Sequence, residues 1–343
     1  MAGLFTRSRR TRRWLLDLGH RLEAAGLILL WGIAARLPAT RAGALGGWLF
    51  GHFGPHTRKQ RWVLANLRVA FADRPETEIR RLGREIWQNF GATVLEYPHL
   101  STLGRDHLEI VHRHDDAASF NDPRPRIFIG AHLGNFDLMG MAVERLGIAA
   151  DAVYSPLANP YLERRLQRWR CYRHTRFYPK EKALRSLLRS LRDGRSVGLV
   201  VDVRTDEGSL VPFFGVAATT SEAPAWLARR LGCEIVPVRA ERLPDGTHRV
   251  IFYPPLPMPA CADDRRAVTE LTVSVNRALA GMIVENPGQW WCGKRRWPRQ
   301  VYPPGGLQQG SASVPDARRQ RPVDGLCSAD GLLNRSERPH RRE

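Results

Sequence analysis

The 343-residue chain has little cysteine, no long apolar run and a shortage of acid. Its five cysteines, Cys171, Cys233, Cys261, Cys292 and Cys327, are odd in number and widely spaced. None forms a C-x-x-C pair, which argues against a zinc site or a disulfide framework and fits a reducing compartment. No G-x-S-x-G nucleophile elbow occurs, which counts against a serine hydrolase. The uncharged stretch nearest the N-terminus, Ala24 to Ala35, has 12 residues, short of the about 20 that span a bilayer. Asp17, His20, Arg21 and Glu23 interrupt the longer apolar region around it. No A-x-A-like cleavage site follows closely, so it does not read as a cleaved leader. Internal repeats are absent, as are zinc patterns, RNP-type aromatic strands and helix-turn-helix signals, so nucleic acid is not the expected partner.

Basic residues outnumber acidic ones 53 to 34, a formal net charge of +19. Such an excess favours an acidic partner, either an anionic lipid or an acidic protein. The excess is uneven. Residues 1–13 carry five Arg and no acid, and residues 163–195 carry twelve Lys or Arg against three acids. A basic arm leading into an apolar-ended helix fits a membrane anchor, lying in the interface or partly inserted. The pattern divides the chain into a basic arm and anchor helix (1–40), a helical region packed on the core (41–105), an α/β core (106–303) and a disordered tail (304–343). The tail is rich in Gly, Pro, Ser and Arg without periodicity.

Within the core, strand-like runs alternate with helical ones. Strands are expected at Arg126 to Ala131, Asp151 to Tyr154, Ser196 to Val201, Glu234 to Val238 and Arg249 to Phe252. Helices are expected at Phe136 to Leu146, Pro160 to Arg173, Lys182 to Arg192, Ala223 to Leu231 and Arg265 to Val284. The alternation predicts an α/β fold with a mostly parallel sheet flanked by helices, preceded by the N-terminal helical anchoring region. Between Arg41 and Leu100, stripes such as Ile79, Leu82, Ile86, Trp87 and Phe90 read as core and carry no evident chemistry.

One strand exit stands out. Arg126 to Asp137 reads R-I-F-I-G-A-H-L-G-N-F-D, a buried strand broken at Gly134 and Asn135 before a helix. In open α/β sheets ligands bind at such exits. His132 is placed there, with Asp137 five residues on. The pair suits a general base and its orienting carboxylate, and a His satisfying a helix end is the competing reading. Gly134 and Asn135 are candidates to offer backbone amides to a developing negative charge.

Several stretches together resemble a known family: G-A-H-L-G-N-F-D, V-Y-S-P-L-A-N-P-Y-L-E-R-R-L-Q-R-W-R, G-L-V-V-D-V-R-T-D-E-G-S-L-V-P-F-F-G, C-E-I-V-P-V-R-A-E-R and E-N-P-G-Q-W-W-C-G-K-R-R-W. N-L-R-V-A-F and E-Y-P-H add to them. In order and spacing they resemble the lipid A late acyltransferases of Gram-negative bacteria, within the glycerolipid acyltransferase superfamily with its H-x4-D/E motif. The likeness runs from about residue 20 to about 300.

The resemblance implies a glycerol-3-phosphate acyltransferase-like fold. It also implies transfer of an acyl chain from acyl carrier protein to a hydroxyl of a lipid A precursor, an anionic lipid. The site would lie at the cytoplasmic face of the bacterial inner membrane, with no metal and no cofactor. By matched position, His132 would be the base and Asp137 its partner. Asn159, Arg170 and, as a second candidate, Arg164 match the N-P helix, where the arginines could hold phosphate. Arg164 is equally at home as plain surface. Asp202 matches an acid at a later strand end, as a ligand group, a cap or an arginine's partner. Phe213, Phe214 and Gly215 match an aromatic turn, either core or acyl groove. Arg295 and Arg296 match the closing basic stretch. The chain departs from the pattern at Lys294, where many members have His, and at Trp169, where Gly is usual. A lysophospholipid or other glycolipid acceptor, with acyl-CoA or carrier-protein donor, is the near alternative, and a non-catalytic membrane adaptor the distant one.

Overall fold

The computed structural model describes residues 2–113, 122, 124–170 and 174–302, so the expected tail lies outside the described residues. Five helices come first: α1 (Ala2–Ala34), α2 (Ala39–Phe53), α3 (Gln60–Ala70), α4 (Glu76–Glu96) and α5 (Leu100–Asp106). The α/β part follows, with strands β1 (Leu108–His112), β2 (Ile127–Gly130), β3 (Ala150–Tyr154), β4 (Arg176–Pro179), β5 (Ser196–Val200), β6 (Ser209–Phe213), β7 (Val216–Thr220), β8 (Ile235–Arg242) and β9 (His248–Phe252). Between and after them come α6 (Leu138–Arg145), α7 (Pro160–Trp169), α8 (Ala183–Arg192), α9 (Ala223–Leu231) and α10 (Asp264–Glu285).

Seven strands form one sheet in the order β1-β9-β8-β2-β5-β3-β4. Every pairing is parallel except β8 with β9. The mixed edge follows from the short connection between β8 and β9, too short for a parallel crossover. β6 and β7 make a separate hairpin. β1, β4 and this hairpin were not among the expected strands. β4 is largely open to solvent and carries no alternating apolar face, so period-2 patterning has nothing to register there.

The central strand β2 is buried on both sides. Ile127 and Ile129 face a core built with α3, α4, α8, α9 and α10, while Phe128 faces a second core shared with α1, α2, α6 and α7. That two-sided burial is why β2 reads as a continuous apolar run. The helix α7 begins where its sequence says. Asn159 caps it by accepting from the amides of Tyr161 and Leu162, and Pro160 takes the first helical position.

α1 is docked on the core. The Trp31 indole donates to the Val94 carbonyl (2.7 Å), and the Asn159 amide donates to His20 O (2.8 Å) and Glu23 Oε2 (2.9 Å). Among the described residues only α10 is long and apolar enough to cross a membrane, and half of that stretch is buried inside the protein. α2 and α4 meet backbone to backbone at glycine: a Cβ on Gly91 would stand 2.2 Å from the Gly46 carbonyl oxygen. Gly91→Ala is expected to cost about 1–3 kcal/mol, because two helix backbones must separate. Gly281→Ala, with nothing within 4 Å of the added carbon, should instead hold or raise stability on helix propensity. Thermal unfolding in detergent compares the two, and equal melting of Gly91→Ala and wild type would contradict the close approach.

Candidate active site

β2 and β5 run side by side in parallel with Gly130 opposite Val200. Two residues past each of these lie His132 and Asp202, so the sheet's register delivers the two side chains to the same exit. Asp202 holds His132 at two points. Its Oδ1 is 2.7 Å from the ring Nδ1, and its Oδ2 accepts the His132 backbone amide (3.1 Å). The Trp290 indole also donates to Oδ2 (2.9 Å). Burial pushes the Asp202 carboxyl up, but the neighbouring His132 charge and these hydrogen bonds outweigh it and hold the group below the usual carboxylate range. The carboxylate is therefore ionised and can only accept, which puts the imidazole proton on Nδ1. In the neutral imidazole that leaves the lone pair on Nε2. Among the described residues nothing hydrogen-bonds it, and the side chain keeps 24% of its surface open, against 2% for Asp202. Phe136 packs edge-on against the ring (4.8 Å between centroids).

Asp137, the expected partner of His132, is engaged elsewhere. Arg170 covers both its oxygens, Nε to Oδ1 at 2.9 Å and a terminal nitrogen to Oδ2 at 3.0 Å. The Tyr97 hydroxyl donates to Oδ2 at 2.7 Å. All three groups are buried. The break at Gly134 and Asn135 turns the chain so that Asp137 meets α4 and α7 rather than the imidazole. Burial first, then the Asp137 charge, raises the Tyr97 hydroxyl far above its ordinary value, so it stays a donor.

The turn itself is spent on internal bonds. Gly134 adopts φ +56°, a conformation L side chains rarely take. Its N–H donates to the Gln289 carbonyl (3.2 Å), so it is not free for an oxyanion. Its carbonyl accepts from Asn89 (3.2 Å) and Thr93 (3.3 Å). The Asn135 amide donates to Glu96 (3.0 Å). Residues 289–291 pair with residues 132–134, through a Leu133–Trp290 bridge and the Trp291 N–H on the His132 carbonyl (2.8 Å). Beneath this turn Arg242 bonds Glu96, Asn89 (3.1 Å) and Thr93 (3.0 Å), and His248 also reaches Glu96 (3.3 Å). Burial opposes ionisation of Glu96, but Arg242 and His248 outweigh it and bring the carboxyl down to about 2.

The remaining expected residues have other duties. Asn159 caps α7 and ties it to α1. Arg164 is exposed, stacked over Tyr161 (5.2 Å). Arg296 is buried, donating to Thr219 O (2.9 Å) and Thr220 Oγ1 (2.9 Å) and lying over Phe213 (4.6 Å). Desolvation brings its guanidinium down to about 10. Arg295 is half-buried. Phe213 is core, while Phe214 and Gly215 form the two-residue β6–β7 turn with φ +52° and +74°. A phenylalanine in that region is strained, and its ring recovers contact by stacking on Trp290 (6.0 Å) and meeting Phe71 edge-on (5.4 Å). Trp169 stacks on Tyr97 (6.3 Å) and meets Trp31 edge-on (4.7 Å). Tyr97, Trp290, Glu96 and Arg242 lie in stretches that carry the family resemblance, but none of them was assigned a role from sequence. Among the described residues no group of His, Cys, Asp and Glu is placed to hold a metal.

The bacterial lipid A biosynthesis acyltransferase model matches residues 6–299. The chain belongs to that family. None of the curated proteins matches it in sequence. Among solved structures it is similar to the 1-acyl-sn-glycerophosphate (LPA) acyltransferase PlsC from Thermotoga maritima, at 11% identity and a TM-score of 0.34, covering 70% of this chain and 98% of that one. This lipid A acyltransferase family member carries an imidazole held by one buried carboxylate, and a second carboxylate locked in an ion pair.

Two predictions separate these carboxylates. Asp202→Asn keeps the shape but loses the charge that fixes the His132 tautomer, and should lower turnover by about a thousand-fold or more with little change in melting. Asp137→Asn leaves Arg170 buried without its counter-charge and should lower the melting temperature as well. Parallel activity and melting curves read both, and an Asp202→Asn enzyme at wild-type rate would refute the tautomer argument. Arg242→Met should destabilise by about 3–5 kcal/mol at neutral pH by stranding Glu96. The folded value of Glu96 lies below that of an unfolded carboxyl, so its contribution is present above about pH 4 and is lost as pH falls toward 2. Denaturant unfolding of both proteins should therefore converge in that window.

Proposed function

We propose that the protein transfers an acyl chain from acyl carrier protein to a hydroxyl of a lipid A precursor, with His132 as general base. The observation that carries this is the unengaged Nε2 of an imidazole whose Nδ1 is fixed by Asp202. Nε2 takes the acceptor hydroxyl's proton as its oxygen attacks the thioester carbonyl carbon. The tetrahedral intermediate collapses, the carbon–sulfur bond breaks, and the leaving sulfur takes the proton back from the imidazolium. Asp202 stabilises that transient cation without accepting its proton.

The surface supports a donor and a location. Arg164, Arg168, Arg185, Arg189 and Arg192 are exposed on α7 and α8, and none is in an ion pair among the described residues. Such a field supports an acidic carrier-protein donor over a small thioester. Trp14, Leu15, Leu16, Leu18, Leu22, Leu29 and Ile33 of α1, with Trp48 and Phe53 of α2, are exposed. With the five Arg of residues 1–13, this supports a protein lying in the membrane interface, at the cytoplasmic face where carrier proteins work, rather than crossing it.

In detergent micelles, with acyl-loaded carrier protein and a tetraacylated lipid A precursor, wild type should transfer and His132→Ala should lose at least about a hundred-fold while melting normally. Raising salt should weaken transfer from the carrier protein far more than from acyl-CoA. Wild-type turnover by His132→Ala rejects the assigned base. Wild-type transfer to a lysophospholipid but not to the lipid A precursor rejects the acceptor.

A further inference from the structure

The Phe136 side chain has no structural duty in the turn from residue 132 to 137. Asn135 before it and Asp137 after it are buried and bonded to Glu96 and to Arg170. The phenyl ring between them is only half-buried. It belongs to neither of the two apolar cores, not even at their margins, whereas Met139 three residues on does reach the second core. Among the described residues the one ring that Phe136 meets is the His132 imidazole, 4.8 Å away between centroids and inclined at 69°. The other aromatics of the site, Phe213, Phe214 and Trp290, pack on one another. Apolar surface left in water contributes nothing to folding. What covers it must come to the site from outside.

The ring is placed by its neighbours rather than by contacts of its own. The bonds of Asn135 and Asp137 fix the turn on both sides of it, and the Phe136 carbonyl accepts from the Met139 amide at the start of α6 (3.2 Å). The imidazole beside it is gripped by Asp202 at Nδ1. Base and ring are thus two fixed walls of one opening, the first basic and the second apolar. An exposed base deprotonates water as well as an alcohol. Water attacking the thioester carbon in place of the acceptor would break the same carbon–sulfur bond and release a free fatty acid and the thiol. Transfer therefore requires that water be kept from Nε2 while the donor is bound. The apolar part of the donor nearest the reacting carbonyl is the start of its acyl chain.

We propose that Phe136 is a substrate-contacting residue whose open face packs on the first methylenes of the donor's acyl chain. Ring and chain together close Nε2 to water, so Phe136 sets how the acyl group divides between the acceptor hydroxyl and water. The division rests on the acyl-transfer reading above, whereas the contact between chain and ring is measurable without turnover.

Full-length protein is held in micelles of a steroid-based detergent, which brings no alkyl chain of its own. It is treated briefly with diethyl pyrocarbonate, which modifies the unprotonated imidazole nitrogen, and His132 is followed by mass spectrometry. The S-dodecyl thioether of pantetheine, which cannot give up its chain, should slow modification of wild type at least about fivefold and of Phe136→Ala less than about twofold. S-methyl pantetheine should slow neither. Phe136→Leu keeps apolar bulk and should be protected nearly as well as wild type. Absence of protection in wild type, equal protection of wild type and Phe136→Ala, or a Phe136→Leu protein that behaves as Phe136→Ala overturns the contact. In transfer assays with labelled acyl-carrier protein, Phe136→Ala should raise the ratio of free fatty acid to acylated lipid at least about tenfold while melting as wild type does. An unchanged ratio overturns the water-excluding role. Failure of wild type to transfer at all defeats the acyl-transfer reading, while the modification experiment still decides whether Phe136 holds an acyl chain.

Discussion

The site depends on one carboxylate gripping one histidine at two points. Asp202 binds both the ring and the backbone of His132, and it can do so because two parallel strands end level with each other. A shift of β5 against β2 by one residue would turn Asp202 to the other face. The bond therefore depends on the register, which the buried apolar faces of both strands enforce. Trp290 then fixes the carboxylate, and Phe214 and Phe213 pack around Trp290. The strained turn at Phe214 belongs to the same assembly, since the ring that makes the backbone costly is the ring that covers Trp290.

Around this pair the protein holds two ion pairs, Asp137 with Arg170 and Glu96 with Arg242. Buried ion pairs are poor sources of net stability, and a hydrophobic substitute can do as well. Their value here is geometric. Asp137 joins the start of α6 to the end of α7 and, through Tyr97, to the end of α4. Glu96 joins α4 to β8, β9 and the Asn135 turn. The loop after β2 is thus held by helices from the N-terminal region, and the glycine contact between α2 and α4 sets where those helices stand.

Much of the frame was legible in the sequence. β2, β3, β5, β8 and β9 lie where apolar runs indicated, because they are the interior strands of a mostly parallel sheet. The His132 exit was legible for the same reason, as a run that breaks at Gly134. The partner was not. Spacing along the chain pointed to Asp137, whereas the bond is made across the sheet, and only the strand pairing tells which exits are neighbours. Asp202 also ends an apolar strand two residues past its last paired residue, and that shared offset was the available signal. Glu96, Tyr97, Trp290 and Arg242 stand in stretches that carry the resemblance, but what each does was not legible there. Their roles come from long-range contacts between segments whose local patterns are those of ordinary core helix and strand.

The polar groups named above in the turn from residue 132 to 137 are bonded inward, apart from His132 Nε2 and the buried Asn135 Oδ1. The His132 amide and Nδ1 go to Asp202, the His132 carbonyl and Gly134 amide to residues 289–291, the Gly134 carbonyl and Asn135 side chain to α4, and the Asp137 carboxylate to Arg170 and Tyr97. Of the two, only Nε2 belongs to a side chain that is open to solvent. A loop free to move would not hold a lone pair in one direction, and reorganisation would then enter the barrier. By satisfying the rest of the turn, the fold leaves one basic atom exposed and gives it a fixed aim. The polar network around His132 is therefore better understood as a means of orientation than as a reserve of reactive groups.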